Sequence, residues 1–292
     1  MKLHACFLLS CFFVFQVPVV AFTAIPPVAP PFLVNKKWRL VWHDEFSYTG
    51  LPDPKKWSYE SGHVRNQEQQ YYVVADTANS FVANGMLTIR GKQDTIANVK
   101  FKPGSDDWRY KDSVAFFTSA SLNTLGKASW KYGKIEIRAK LPSGRGVWPA
   151  FWMMGTNRGE VKWPQCGEID IMEYIGAKDS TTIYGTIHRD SEKDDPPYYS
   201  IGKTTKSQTI HTDFHIYSLE WNKKYIDILF DGQRYFRYKI REATRKNGEN
   251  PFRKPFYLLI NLALGSAWPG PIDAHDLPAE LLVDYVRVYQ KK

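Results

Sequence analysis

Cysteine is scarce in this chain: Cys6, Cys11 and Cys166 are the three in 292 residues. Two of them fall in an apolar leader. Residues 1 to about 24 have the layout of an export signal, with Lys2 as the positive start, a mostly apolar run over 7–20 and a small-residue cleavage site at Val19-Val20-Ala21. Cleavage after Ala21 leaves Cys166 alone and excludes an intrachain disulfide, so the fold must rest on its core. Gln16 and Pro18 interrupt the apolar run and leave it short for a stable membrane span. Leu8-Leu9-Ser10-Cys11 faintly resembles a lipoprotein cleavage box, but the run continues past Cys11. The expected product is secreted, periplasmic or at the cell surface, with a lipid anchor as the lesser alternative.

Blocks of like charge are missing as well. The formal net charge is +9, yet Lys and Arg are scattered, which describes a solvated basic surface and not a nucleic-acid stripe. There is no internal repeat, and the only biased tract is the stretch with Pro26, Pro27, Pro30 and Pro31. That tract predicts an extended linker over 25–35, followed by a single domain over 36–292 that is expected to be a monomer. No long helical period appears either, although 240–245 could form a turn or two.

What is present is a series of short β-type runs, at 38–42, 86–90, 135–140, 214–221, 225–230, 257–264 and 281–289. Asp231-Gly232, set between two of them, is a strong hairpin signal. Short strands without a βαβ rhythm predict an all-β sandwich of two packed antiparallel sheets. The polar stretches 102–111 and 189–207 are the candidate long loops. Aromatic residues make up 15% of the chain, which permits stacking on sugar rings as well as core packing.

Within Gly167-Glu168-Ile169-Asp170-Ile171-Met172-Glu173-Tyr174, three carboxylates interrupt an apolar run. Strict alternation places Glu168, Asp170 and Met172 on one face and leaves Glu173 with Ile169 and Ile171. A bulge, one extra residue that resets the alternation, would return Glu173 to the face of the other two acids. Two carboxylates on one wall are what retaining glycoside hydrolysis needs, one as nucleophile and one as acid then base, with carboxyl groups about 5 to 5.5 Å apart. A third acid between them can orient the nucleophile and raise its neighbour's proton affinity.

The run Glu168-Ile169-Asp170-Ile171-Met172-Glu173 resembles the Glu-x-Asp-x-x-Glu signature of glycoside hydrolase family 16 in its laminarinase-like form. Tyr132-Gly133-Lys134-Ile135-Glu136-Ile137-Arg138-Ala139-Lys140-Leu141-Pro142, Trp148-Pro149-Ala150-Phe151-Trp152-Met153, Gly185-Thr186-Ile187-His188 and Val283-Asp284-Tyr285-Val286-Arg287-Val288-Tyr289 are similar to family segments, in family order. The resemblance spans roughly 38–290 and implies a concanavalin-like β-jelly-roll with a concave glycan-binding cleft. It implies Glu168 as nucleophile, Asp170 as assisting acid and Glu173 as acid/base, with no cofactor in catalysis. The approach Trp163-Pro164-Gln165-Cys166-Gly167 resembles that of laminarinases and points to β-1,3-glucan; mixed-linkage β-1,3-1,4-glucan, and a binding module without hydrolysis, are the alternatives.

The same resemblance nominates substrate contacts. Trp148, Trp152 and Trp163, with Trp268 on a loop, are either sugar platforms or packing residues. In Arg65-Asn66-Gln67-Glu68-Gln69-Gln70-Tyr71-Tyr72, Asn66, Glu68 and Gln70 are spaced i, i+2, i+4, and Asn66 is implied to contact the donor-side sugar; a polar loop or edge strand is the alternative. His188 is either a structural histidine or a neighbour of the acid/base. Asp284, placed by alternation with Leu282, Val286 and Val288, needs a partner. The resemblance suggests a structural calcium ion held by Asp284, Glu45 and a backbone oxygen near Gly85, against an ion pair with Arg or Lys.

Overall fold

The computed structural model describes residues 37–176, 181–192 and 197–292. The expected leader and linker, with Cys6 and Cys11, lie outside them. The chain opens with β1 (Trp38–Asp44), β2 (Ser58–Tyr59), β3 (Tyr71–Tyr72), β4 (Ser80–Ala83), β5 (Met86–Ala97) and β6 (Val114–Ser119). It continues through β7 (Ser121–Asn123), β8 (Gly133–Lys140), β9 (Val147–Gly155), β10 (Glu168–Glu173), β11 (Thr182–Arg189) and β12 (Tyr199–Lys206). The last five are β13 (His215–Trp221), β14 (Tyr225–Phe230), β15 (Gln233–Lys239), β16 (Phe256–Leu264) and β17 (Ala279–Lys291). No described helix is long and apolar enough to cross a membrane.

These strands form two sheets packed as a sandwich. One runs β15-β14-β13-β8-β17-β5-β6-β3, with β1 also on β17 and β4 also on β5; the other runs β12-β11-β10-β9-β16-β7-β2. All pairings are antiparallel except the short one between β3 and β6. Ile135, Ile137 and Ala139 of β8 and Phe151 and Met153 of β9 point into the shared core. Burying a large aliphatic or aromatic side chain contributes about 1.5–3 kcal/mol, and in a domain whose only described cysteine, Cys166, is free, this burial must carry the stability.

The sequence of β16 is apolar throughout because both of its faces are covered. Leu258, Ile260 and Leu262 join the main core, while Tyr257 and Leu259 pack with Ala150, Trp152, Met154 and Cys166 on the other side of the sheet. That second layer floors the cleft. At Asp231-Gly232 both residues have positive φ, +47° and +77°, as a two-residue hairpin turn demands.

Two expectations are corrected here. The stretch 189–207 is not all loop, because Tyr199–Lys206 is an edge strand paired with β11. Its Ser, Gly, Lys and Thr residues are polar on both faces, so no apolar alternation announces it. In β17 a bulge between Val283 and Tyr285 resets the alternation. Leu281 and Val283 point inward before it and Val286 and Val288 after it, so Asp284 does not share a face with Val286 and Val288. The turn expected over 240–245 is a single 3-10 turn at Ile240–Ala243.

Candidate active site

The strand that carries the acids begins at a glycine. Gly167 has φ +77°, and a Cβ there would lie 2.8 Å from Pro251 Cβ, so conformation and space both require glycine. Beyond it, Glu168 pairs with His188 and Asp170 with Thr186, and the register then jumps to Glu173 opposite Tyr184. Against β9 the slip falls between Asp170 and Met172. This is the expected bulge. Ile169, Ile171 and Met172 all enter the core, and Glu168, Asp170 and Glu173 line one cleft of ≈220 Å³.

Each acid has a distinct surrounding. Trp148 Nε1 donates to Glu173 Oε1 at 3.2 Å. The Trp163 side chain hydrogen-bonds Glu168. His188 Nε2 lies 2.9 Å from Asp170 Oδ2 and 3.9 Å from Glu168 Oε1, while its Nδ1 shares a 2.6 Å hydrogen bond with the Tyr198 hydroxyl. Although His188 is close, Asp170 Oδ2 lacks an aligned donor among the described residues. An oxygen in that state is a natural place for a shared proton.

Burial raises all three pKa values, and neighbouring acids add to it for the two glutamates. Glu168 is pushed up to about 8, chiefly by burial and then by Asp170, against the pull of His188, Arg65 and Trp163. Burial holds Asp170 well above the usual carboxylate range. Glu173 is held there too, by burial, Asp170 and Glu168, with His188 and Trp148 in opposition. Glu168 has more groups favouring its charged form, so it is the first of the glutamates to lose a proton. Unlike environments for paired carboxylates are the condition for dividing acid and nucleophile roles.

The wall beside the acids is a hydrogen-bonded network. Asn66 and Gln67 adopt positive φ, +56° and +52°, so residues 65–70 form a turn, which leads into the short end strand β3. Asn66 Nδ2 donates to Glu68 Oε1 at 3.2 Å, and Gln70 Nε2 donates to Glu68 Oε2 at 2.7 Å. Gln70 Oε1 accepts from the Leu264 backbone at 2.7 Å, which ties the turn to β16. Asn66 and the largely buried Glu68 thereby line the cleft, while Gln70 is buried behind them.

The four tryptophans divide. Trp148 and Trp163 line the cleft, and Trp163 is 44% exposed. Trp152 also lines it, but its Nε1 donates to Asn261 Oδ1 at 2.7 Å and the Arg65 guanidinium sits 4.9 Å over its ring, so it is part of the floor. Trp268 stands edge-on to Trp148 at 5.0 Å and to Tyr184 at 5.3 Å, and forms a rim. His188 belongs to the acid cluster and stacks on Tyr198 at 5.8 Å.

Arg65, Arg158, Asn261, Tyr184 and Tyr198 were not singled out from sequence. Asn261, the one polar residue in Phe256–Leu264, carried a usable signal, since a buried amide must find partners. It accepts from Trp152 and donates to the Tyr72 hydroxyl at 3.0 Å. Arg65 pairs with Glu60, whose pKa falls because Arg65, helped by Ser121, outweighs burial.

The expected calcium ligands are otherwise engaged. Arg287 grips Glu45 through two hydrogen bonds of 2.9 and 2.7 Å, and Asp284 is paired with Arg138. A calcium site needs carboxylates with surplus negative charge, and here guanidinium groups neutralise both, so Glu45, Asp284 and the Gly85 turn do not fit the ion as arranged. The ion-pair alternative for Asp284 is the one displayed. Among the described residues, the cluster with donor atoms close enough to chelate a cation is Glu168, Asp170 and His188, within 4.8 Å of one another.

Comparison with known proteins agrees with this geometry. The family model described as Glycosyl hydrolases family 16 matches residues 57–287. A β-glucanase of Rhodothermus marinus is 40% identical over 87% of this chain and 85% of its own length. The solved laminarinase of Rhodothermus marinus superposes with a TM-score of 0.75 at 40% identity, covering 87% of this chain and 98% of that one. A structure from work on endo-acting O-glycanases with which human gut microbiota initiate mucin breakdown gives a TM-score of 0.84 at 35% identity, covering 90% of this chain and 94% of that one. A bulged acidic strand in the cleft of a two-sheet sandwich, matched by family and by structure, places the chain in glycoside hydrolase family 16, among its laminarinase-like enzymes.

Proposed function

We propose that the protein is a retaining endo-β-1,3-glucanase in which Glu168 is the nucleophile, Glu173 the acid/base and Asp170 the assisting acid. The observation that carries this is the slip between Asp170 and Met172, which sets all three acids in one cleft. Glu173, kept protonated by burial and its acidic neighbours, gives its proton to the leaving glycosidic oxygen while Glu168, the first of the two to ionise and in its carboxylate form, attacks the anomeric carbon. Water activated by Glu173 then releases the glycosyl-enzyme. Trp148 and Trp163 flank the two glutamates and offer ring faces to the sugars on either side.

Glu168→Ala should abolish hydrolysis and be rescued by azide with inversion at the anomeric carbon. Glu173→Ala should keep most activity only on substrates with good leaving groups. Wild-type activity in both variants would overturn the roles. The β-1,3-glucan preference rests on the likeness to the Rhodothermus marinus enzyme. The fit to the O-glycanase structure supports a second reading, a mucin-type glycan substrate. Product profiles on laminarin, lichenan and mucin O-glycans separate these, and inactivity on both glucans would sink the first. Export after removal of the leader is part of the proposal, and fractionation of expressing cells tests it.

A further inference from the structure

Beyond Asn66 the cleft does not end. A second cavity of ≈690 Å³ opens there, lined by Asn66, Gln67, Gln69, Trp108 and Ser266, among others. Asn66 lines the catalytic cleft as well, so the two spaces meet at that side chain. Trp108 belongs to the loop foreseen from sequence at 102–111, where no role was given to it. It also borders a third cavity of ≈460 Å³ on the side of His63, whose ring braces it at 5.7 Å.

The loop is built to hold that indole still. Asn98, almost wholly buried at its base, donates 3.0 Å hydrogen bonds to the carbonyls of Arg109 and Asp112, both on the returning limb of the loop just after Trp108. Arg109 and Asp107, the two neighbours of Trp108, clasp each other through their side chains at 2.6–3.2 Å. Lys100 Nζ donates at 2.7 Å to the Ser61 carbonyl, which pins the loop to the turn ahead of Asn66. A fixed, half-exposed indole surrounded by side-chain amides and a hydroxyl has the composition of a sugar-binding surface: a ring face for the apolar side of a pyranose, and donors and acceptors for its hydroxyls.

We propose that Trp108 is a specificity-determining residue that extends the cleft on the side of Asn66, taking additional sugar units of the same polysaccharide chain and so favouring long substrates over short ones. The proposal rests on the hydrolytic reading above, together with the donor-side contact that the family resemblance implies for Asn66. A chain leaving the acids past Asn66 runs into the ≈690 Å³ space, which is within the ordinary size of a ligand site. There it meets Trp108, with Gln67 and Gln69 beneath. Preorganisation means that little ordering cost is met on binding.

The test compares Trp108→Ala and Trp108→Phe with wild type on laminarin and on a short aryl β-glucoside that reaches only the acids. For Trp108→Ala, kcat/KM on laminarin should fall about tenfold, mainly through KM, while the aryl glycoside is unaffected; Trp108→Phe should recover much of the loss. Equal losses on both substrates, or no loss on laminarin, would overturn the role. Binding of long β-1,3-gluco-oligosaccharides to Glu168→Gln, with and without Trp108→Ala, decides the question independently of turnover. Wild type that binds long oligosaccharides through Trp108 yet hydrolyses nothing would refute the hydrolytic reading and leave this one standing. Affinity that is the same with and without Trp108 would refute this one alone.

Discussion

Two groups of partly buried carboxylates, on the two sheets, are treated in opposite ways. On β17 and the end of β1, Asp284 and Glu45 are each held by an arginine. On β10, Glu168, Asp170 and Glu173 face one another, and the basic side chain nearest them is an imidazole. The first arrangement resolves the cost of burial and the second preserves it. Buried acids with arginine partners are structural; buried acids left to one another have displaced pKa values and so can exchange protons during a reaction.

The comparison is broken most directly by taking away an arginine. Arg287→Met leaves Glu45 without its two hydrogen bonds and should cost about 2–3 kcal/mol in urea unfolding, with kcat/KM unchanged. Loss of activity without loss of stability would mean that this pair is not structural.

Glu168→Gln should do the reverse, abolishing hydrolysis while stabilising the fold. Folded Glu168 titrates at about 8 against an ordinary 4.5, so between those values it keeps a proton that the unfolded chain has shed. Wild type therefore loses stability as pH rises through that window, and Gln does not. The gain should be small near pH 5 and reach a few kcal/mol by pH 8, read as a melting temperature several degrees above wild type. A gain that shrinks with rising pH would contradict the strained-acid account. The smallest effect is expected from a chelator. With Glu45 and Asp284 held by arginine, EDTA should leave the melting temperature unmoved, and a clear fall would restore calcium to this sheet.

Much of this was legible in the residues. The alternation in β8 and the hairpin at Asp231-Gly232 appear in the structure almost as read. The bulge in β10 could be inferred because its alternative buried a glutamate in the core. The bulge in β17 could not, because Asp284 is set among Val283, Tyr285 and Val286 and either register buries apolar side chains. Periodicity detects a bulge only where the wrong face is costly. Edge strand β12 escaped for a related reason, since it buries too little for its pattern to be constrained. Arg65, Tyr184 and Tyr198 come to the cleft from separate turns and strands, and only the sandwich brings them near the acids. The network behind Asn66 is half visible in the residues: the spacing of Asn66, Glu68 and Gln70 is there, but the positive-φ turn at Asn66 and Gln67 and its tie to Leu264 belong to tertiary structure.

The slip in β10 also bears on how such a chain can change over generations. Met172 lies in the core with a side chain that another unbranched or branched aliphatic could replace. Its place in the count is tied to the bulge: with one residue fewer between Asp170 and Glu173, strict alternation alone would keep all three acids on one face, and with the present count only the slip does so. Reactivity here is stored in chain length as much as in side-chain identity. Codon substitutions at position 172 should drift freely within the aliphatics, whereas a change that regularises the strand without changing its length, or adds a residue while keeping the slip, would turn Glu173 into the core.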